Sequence, residues 1–500
     1  MSGPSVLRPA TAPGPAATPG PAATPGPAGT PPGPRGSAPR AIRGGQLPWL
    51  VVAVLGGMVA AFLVVAGYST LIVILPAGLV AAYVLYRYPF AGIIAWLLIF
   101  PFFLSGSPAL YWVFHRLLIP GTLLLVVIAR SRHRRPQVRV FIEPAEWAFP
   151  VFIIVALLNI VILSPDQADG LAHLYDRFII PFAMYWLVRL IAPGRRELRV
   201  LALVALVAIG AQVFIGALGW IAPSALPSSW IDLVGFRTVG SLGNVAVYSS
   251  TLFVCSTILL LDWSVAGAAR RLIYAIAISA AALFIILTFS RGSWLAAVVV
   301  MGVFLLLYPR RVLRIVVPLA IVALILGATV FSASVGYAAE RLNDEETAQS
   351  RIVGDVASLR MIERQPLVGF GYDTFNLYWD KFKTRVEEIP VNTGSTSHNT
   401  YLTVMAEMGI PTFLLLVTPV AYWLVQSWRM RGRLAKVRPF GLAYVTLLWV
   451  AVLFHFTVSN FMDMYRFNYF GTTVFWLAVG LIAVAVAPVL GRASSARAGR

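Results

Sequence analysis

The stretch "STSHNTYLTVMAEMGIPTF" sets His398 at the threshold of a long apolar run and places a carboxylate, Glu407, nine residues further in. An imidazole with an ordinary pKa of about 6.5 can be neutral at neutral pH and take a proton from a hydroxyl. Three other stretches bring arginine. "LTFSRGSWLA" carries Arg291, and "GFRTVGSLGNVAVYSS" carries Arg237, followed by glycines and Asn244. "SRIVGDVASLRMIERQPLVGFGYDTF" carries Arg351, Arg360 and Arg364, then Gly369 and Gly371. Arginine stays charged at any accessible pH, and its planar fork of donors matches phosphate oxygens. Several arginines and one histidine at a membrane surface would suit transfer of a group from a lipid-linked diphosphate. The arginines would hold the leaving diphosphate, and the histidine would deprotonate an acceptor hydroxyl.

Taken singly, each residue has a plainer reading. Arg291 suits an arginine snorkelling from a helix end to the interface. His398 suits a helix start, with Ser395 or Ser397 as neighbouring caps. Glu407 lies about 13 Å along its helix, too deep to meet a hydroxyl beside His398, and reads as a carboxyl in an interhelical hydrogen bond. Gly369 and Gly371 read as a turn, Arg237 as a loop charge, and Asp463 with Arg466 as an interfacial ion pair. The case for chemistry needs these groups on one side of a membrane, and that is a matter of topology.

The composition predicts that membrane. Of 500 residues, 59% are hydrophobic and 12% charged, against about 45–50% and 25% in soluble domains. Repeated apolar runs of about 17–25 residues read as spanning helices. Fourteen candidate spans fall near 48–66, 70–86, 90–106, 112–129, 146–163, 177–192, 200–221, 242–262, 272–288, 293–308, 314–332, 400–425, 440–458 and 469–488. The expected fold is an all-α polytopic membrane protein of about 14 transmembrane helices.

The net charge of +19 follows topology and does not call for nucleic acid. With the N-terminus inside, "RSRHRRPQVR", "GRRELR", "ARR", "PRR" and "WRMRGRLAKVR" all fall on the cytoplasmic side, as the positive-inside rule requires. The one long outer loop then runs over 333–397 and re-enters the membrane at His398, with a helix expected over 351–364. Both termini are expected in the cytoplasm. The segment 1–46 is a Pro/Ala/Gly-rich tail with no apolar face to bury, predicted to be disordered. Cys255 is the single cysteine, which excludes an internal disulfide framework, and no Cys/His metal cluster is visible.

In order and spacing, "FSRGSWLA", "SRIVGDVASLRMIERQPLVGFGYDTF" and "SHNTYLTVMAEMGIPTF" resemble the signature of the O-antigen ligase and O-antigen polymerase superfamily of bacterial membrane glycosyltransferases. "RTVGSLGN" loosely resembles a segment that precedes that signature. On this basis the chain divides into N-terminal transmembrane helices at 47–283, a signature region at 284–425 that includes the outer loop, C-terminal transmembrane helices at 426–488 and a basic cytoplasmic tail at 489–500.

The resemblance implies a GT-C-like fold in the bacterial inner membrane and a metal-independent, inverting transferase with no cofactor. It implies an undecaprenyl-diphosphate-linked oligosaccharide donor and a glycan, lipid or protein acceptor. Arg291 matches the diphosphate-binding and catalytic arginine, and His398 the histidine that activates the acceptor. Arg237 and Arg351 are the further candidates for the diphosphate. Asn399, Glu407, Gly369 and Gly371 are supporting positions. Two features depart from the pattern: ligases usually have about twelve spans, and "GNVAVYSS" stands where Asn-Pro-Asn often follows the glycine. A lipid-linked oligosaccharide flippase is the rival from another class. A cell-wall glycan polymerase of the shape-and-division type would be expected to use an outer-face carboxylate, and a non-enzymatic scaffold would use the proline-rich tail.

Overall fold

The computed structural model describes residues 69–102, 111–132, 142–232, 237–307, 309–310, 345–383, 397–437, 440–467 and 469–498. The chain divides into two units, 1–75 and 76–500. Of the first unit, only the opening of helix α1 (Ser69–Arg87) is described. The expected spans 48–66 and 314–332, the tail 1–46 and the loop flanks 333–344 and 384–396 lie outside the described residues.

Among the described residues every regular element is helical and no strand occurs. Seven helices among the described residues are long and apolar enough to cross a membrane, and three shorter apolar ones accompany them. This is a polytopic helical membrane protein. In a bilayer the backbone must satisfy its own polar groups, and helices do so within one segment.

The helices of the second unit begin with α2 (Phe90–Ile99), α3 (Leu118–Arg132) and α4 (Ala148–Leu163). A short α5 (Gln167–Leu174) leads through a π-turn into α6 (Ile180–Ile191). Next come α7 (Arg195–Ile221), α8 (Val245–Trp263), α9 (Ala268–Ile286) and α10 (Arg291–Leu307). The loop region supplies α11 (Glu345–Arg364) and α12 (Phe375–Phe382). The last spans are α13 (Thr400–Arg429), α14 (Leu442–Val458) and α15 (Tyr469–Ala498). The helix expected over 351–364 is the second half of α11.

Helices α15 and α8 are the two most buried of the spanning helices described, and α15 packs along α6. Their backbones meet at Gly480, where a Cβ would fall 3.1 Å from the Tyr185 carbonyl oxygen. Small residues at such crossings let membrane helices approach closely.

Side-chain contacts sort the helix ends onto two faces of the bundle. On one face, buried Glu146 just before α4 accepts from Arg189 of α6 at 3.0 Å and from Tyr185, whose hydroxyl accepts from Trp423 of α13 at 2.8 Å. Arg130 at the end of α3 donates to the Leu190 carbonyl on that same face. On the other face, Ser164 at the end of α4 donates to the Tyr372 carbonyl of the loop at 2.7 Å. His398, at the opposite end of α13 from Trp423, belongs to this second face. The pairing of ends agrees with the alternation that the positive-inside pattern demands for these spans.

The described middle of the loop is stitched into a helix. Helix α13 breaks at Gly409, which adopts φ 80° and ψ 163° inside it. The segment Pro366–Gly371 fills the break. Ile410 N–H donates to the Pro366 carbonyl at 2.8 Å, Phe370 N–H to the Ala406 carbonyl at 3.0 Å and Gly371 N–H to the Glu407 carbonyl at 2.9 Å. On the far side, Asn159 of α4 donates to the Val368 carbonyl at 2.8 Å and accepts from Tyr372 N–H at 2.6 Å. Irregular backbone at membrane depth is tolerated where protein satisfies it. Here a broken helix and a buried asparagine do so. Gly369 has φ 72°, and a Cβ there would fall 2.3 Å from the Glu407 carbonyl carbon. Glycine is required at this close approach.

Candidate functional site

His398 stands one residue outside the helix that carries it. The cap of α13 is Asn399, whose side chain accepts from Tyr401 N–H at 3.0 Å and Leu402 N–H at 3.2 Å. Asn399 N–H in turn donates to Ser397 Oγ at 3.2 Å. With the cap made by Asn399, the histidine is left out of it. His398 has φ 52°, in the left-handed region that few side chains adopt. Such backbone settings recur where surrounding structure over-determines a residue at a functional site. Burial first, and then the positive charge of Arg351, push the His398 imidazole below its ordinary range. The ring is therefore neutral at neutral pH and able to accept a proton.

The segment after α14 locks this position. Thr400 N–H donates to the Ser459 carbonyl at 2.9 Å, Thr400 Oγ1 to the Met462 carbonyl at 3.1 Å, and Met464 N–H to Thr400 Oγ1 at 2.8 Å. The same segment receives α10. A Cβ on Gly292 would fall 2.7 Å from Phe461 Cβ, so the helix start that carries Arg291 is pressed onto it. The helix start that follows Arg291 and the helix start that follows His398 thus both pack on the segment 459–464, through Gly292 and Thr400. Ser293 of α10 is pinned by Ser249 of α8 at 2.6 Å, and Ser290 accepts from Ser293 Oγ at 3.0 Å.

Arg351 acts on His398 electrostatically and also on Asp355, one turn along α11. Burial pushes the Asp355 carboxyl up to about 6 against that arginine's pull. Arg360 donates to the Phe382 carbonyl at 3.2 Å and so ties α11 to the end of α12. Arg237 forms a two-pronged ion pair with Asp232, its Nη2–Oδ1 contact at 3.1 Å. Its neighbour Thr238 donates to the Leu287 carbonyl at 3.1 Å, four residues before Arg291. The Arg237 segment therefore lies beside the entry to α10.

Glu407, Gly369 and Gly371 form a separate group, deeper than His398. Glu407 is buried and its Oε1 accepts from Phe375 N–H at 3.0 Å. The expected interhelical hydrogen bond is thus the Glu407 carboxyl accepting from the first N–H of α12.

A third group is absent from the sequence reading. Asp373, at φ 60°, accepts from His173 Nδ1 of α5 at 2.5 Å and from Arg177 Nη1 at 2.7 Å, and Arg466 Nη2 lies 3.7 Å away. Burial works to raise the Asp373 carboxyl. The hydrogen bonds and charges of His173 and Arg177 outweigh it and hold the group well below the usual carboxylate range. Asp463 and Arg466, read as an interfacial pair, turn out differently. Asp463 is buried and accepts from Arg466 N–H at 3.1 Å, while the Arg466 guanidinium reaches Asp373. A polar link thus runs from Asp463 through Arg466 to Asp373.

Asp169, His173 and Asp373 place donor atoms within 4.8 Å of one another. As metal ligands they are poorly suited, because Arg177 already occupies one Asp373 oxygen and carries a positive charge to the spot. The one local signal for this group was Asp169 and His173 at i, i+4 on a short helix; its partner lies 200 residues away.

A search of the curated proteins found no match to the chain. Residues 275–417 match the family model described as O-antigen ligase, a range that holds Arg291, Arg351, His398 and Glu407, and this bears out the resemblance of the chain to the O-antigen ligase superfamily.

Proposed function

We propose that the protein is a membrane glycosyltransferase of the O-antigen ligase or polymerase type, working on the outer side of the cytoplasmic membrane with both termini in the cytoplasm. The donor is a glycan on a polyprenyl diphosphate and the acceptor a hydroxyl on a second glycan, lipid or protein. The observation that supports this reading is that the helix starts following Arg291 and His398, both within the matched range, pack through Gly292 and Thr400 on the same segment at 459–464. A GT-C-like arrangement of the helices is the architecture the family implies.

In this reading His398 takes the acceptor's hydroxyl proton as the oxygen attacks the anomeric carbon. The new C–O bond forms as the bond from that carbon to the diphosphate oxygen breaks, and the leaving group departs with the electron pair. Arg291 holds its growing negative charge, with Arg351 and Arg237 as further cationic partners. Because arginine balances that charge, the transfer is metal-independent. Asn399 fixes the helix start beneath His398, and Glu407 fixes α12 against α13.

The test is a reconstituted assay with a polyprenyl-diphosphate oligosaccharide and a set of candidate acceptors, with and without EDTA. Transfer that survives EDTA and is lost in Arg291→Lys, which keeps charge but not the fork, is the expected result. Transfer abolished by EDTA and restored by Mg²⁺ would defeat the arginine-based mechanism. Sidedness is read separately. Cysteines at Ser131 and Gly432 should resist impermeant thiol reagents in intact cells, and one at Ser224 should react.

A further inference from the structure

Beside the Asp373 group lies a cavity of about 460 Å³ between the end of α4, α5 and the start of α12. Its size falls within the roughly 300–1,000 Å³ of small-molecule sites. Nothing in the proposed transfer step uses it. Its wall combines Asp166, Asp169, Asp373, Arg177, Arg466 and Asn376 over an apolar surface from Pro165 and Leu377. Arg177 is 7% exposed, and its Nε is buried without a hydrogen-bond partner among the described residues, as is Nη1 of Arg466. Leu377 and Asn376 are exposed on α12.

The charges narrow the ligand. A divalent cation would have to approach two guanidiniums that already converge on Asp373 at 2.7 and 3.7 Å. A phosphate would face three carboxylates. A neutral polyhydroxyl compound meets neither penalty. Its hydroxyls donate to the aspartates and accept from arginine and asparagine, and its C–H faces lie on Pro165 and Leu377.

We infer that this cavity is a glycan-binding subsite that grips uncharged sugar units away from the reacting bond. The inference rests on the transferase reading and deepens it. The cavity shares a face of the bundle with His398. Sugar units gripped here belong either to the donor glycan or to the acceptor glycan. The hydroxyl chemistry is the same in both.

The experiment measures binding of lipid-free oligosaccharides to the full-length protein in detergent, separately from transfer. Two probes are used: the oligosaccharide released by mild acid from polyprenyl-diphosphate glycans of the producing cells, and that cleaved from the surface polymer of the same cells. Manganese ion alone and inorganic phosphate alone serve as controls. The variants are Asp169→Ala with Asn376→Ala, and Leu377→Ala, all exposed positions. The expected result is a Kd raised about tenfold in the double variant for at least one probe, the size expected from losing one or two hydrogen bonds. Leu377→Ala should weaken the same probe, and melting temperature should be unchanged. Which probe weakens identifies donor or acceptor, and its KM in the transfer assay should rise while kcat holds. Unchanged binding of both probes would overturn the inference. So would saturable binding of manganese or phosphate that Asp169→Ala abolishes. If wild type transfers no glycan yet the double variant loses oligosaccharide binding, the transferase reading fails and the subsite stands.

Discussion

The surroundings of His398 and of Asp373 are built on opposite plans, though they share one face of the molecule. Around His398 the backbone is held by caps and carbonyls: Asn399 closes the helix start, and Thr400 locks it to Ser459 and Met462. The histidine side chain is left out of that holding. Around Asp373 the side chain is the holding, with His173, Arg177 and Arg466 converging on one carboxylate. The loop leading to it is sewn backbone to backbone into the break at Gly409. A site that must act keeps its side chain free of structural duty, and a clamp commits its side chains. Removing a side chain should therefore cost rate in the first region and stability in the second.

The largest effect is expected at His398. His398→Ala should lower kcat by roughly 10²–10⁴-fold, the range of general-base catalysis, with an unchanged melting temperature in detergent. An equal fall in melting temperature would make His398 part of the clamp and erase the contrast. Asp373→Ala comes next. It strands Arg177, which is 7% exposed, and breaking one side of a buried pair costs about 3–5 kcal/mol. The expected readout is a clear drop in melting temperature with activity falling in parallel. A stable variant would mean that the loop is held by the Gly409 break alone.

Gly369→Ala tests that break directly. A Cβ 2.3 Å from the Glu407 backbone at φ 72° adds left-handed strain of about 1–2 kcal/mol to a clash that backbone must move to relieve. Melting should drop while the pH profile of residual transfer stays that of wild type.

Acid separates the two regions without mutation. The His398 pKa is lowered, so the rate should hold through neutral pH and fall only below the ordinary histidine value of about 6.5. The Asp373 pKa is also lowered. Its stabilisation is therefore present above the unfolded value of about 4 and is lost as pH falls through the lower folded value. As pH falls below the ordinary histidine value activity should decay, while melting temperature, as far as Asp373 sets it, stays flat down to the unfolded carboxylate value of about 4. Parallel curves would show that one group controls both.

The smallest effect is expected at Arg237. Its pair with Asp232 is 19% and 10% exposed, more open on the arginine side than Arg177 at 7%, so Asp232→Asn should lower melting less than Asp373→Ala. Arg237→Ala should weaken donor binding if Arg237 serves the diphosphate, and an unchanged donor KM would return it to an ordinary loop charge.

What the sequence determined by itself was local or periodic. Apolar runs specify the spans because each must satisfy its own backbone within one helix. Asn399 before "TYLTVMA" specifies a helix start, since a side-chain oxygen there meets N–H groups two and three residues on. Paired glycines before "YDTF" signalled special backbone geometry, and the order of three short motifs was enough for the family resemblance. None of this reaches across the fold. Asp373 meets His173 and Arg177 at separations of 200 and 196 residues, and no periodicity encodes such a pairing. Gly409 looks like any glycine in an apolar helix until Pro366–Gly371 fills the space beside it. Only the tertiary structure decided which arginine acts on the histidine, Arg351, and which anchors a carboxylate, Arg177. Charge pairing and close packing are settled by which helices meet, and that depends on the packing of the whole bundle.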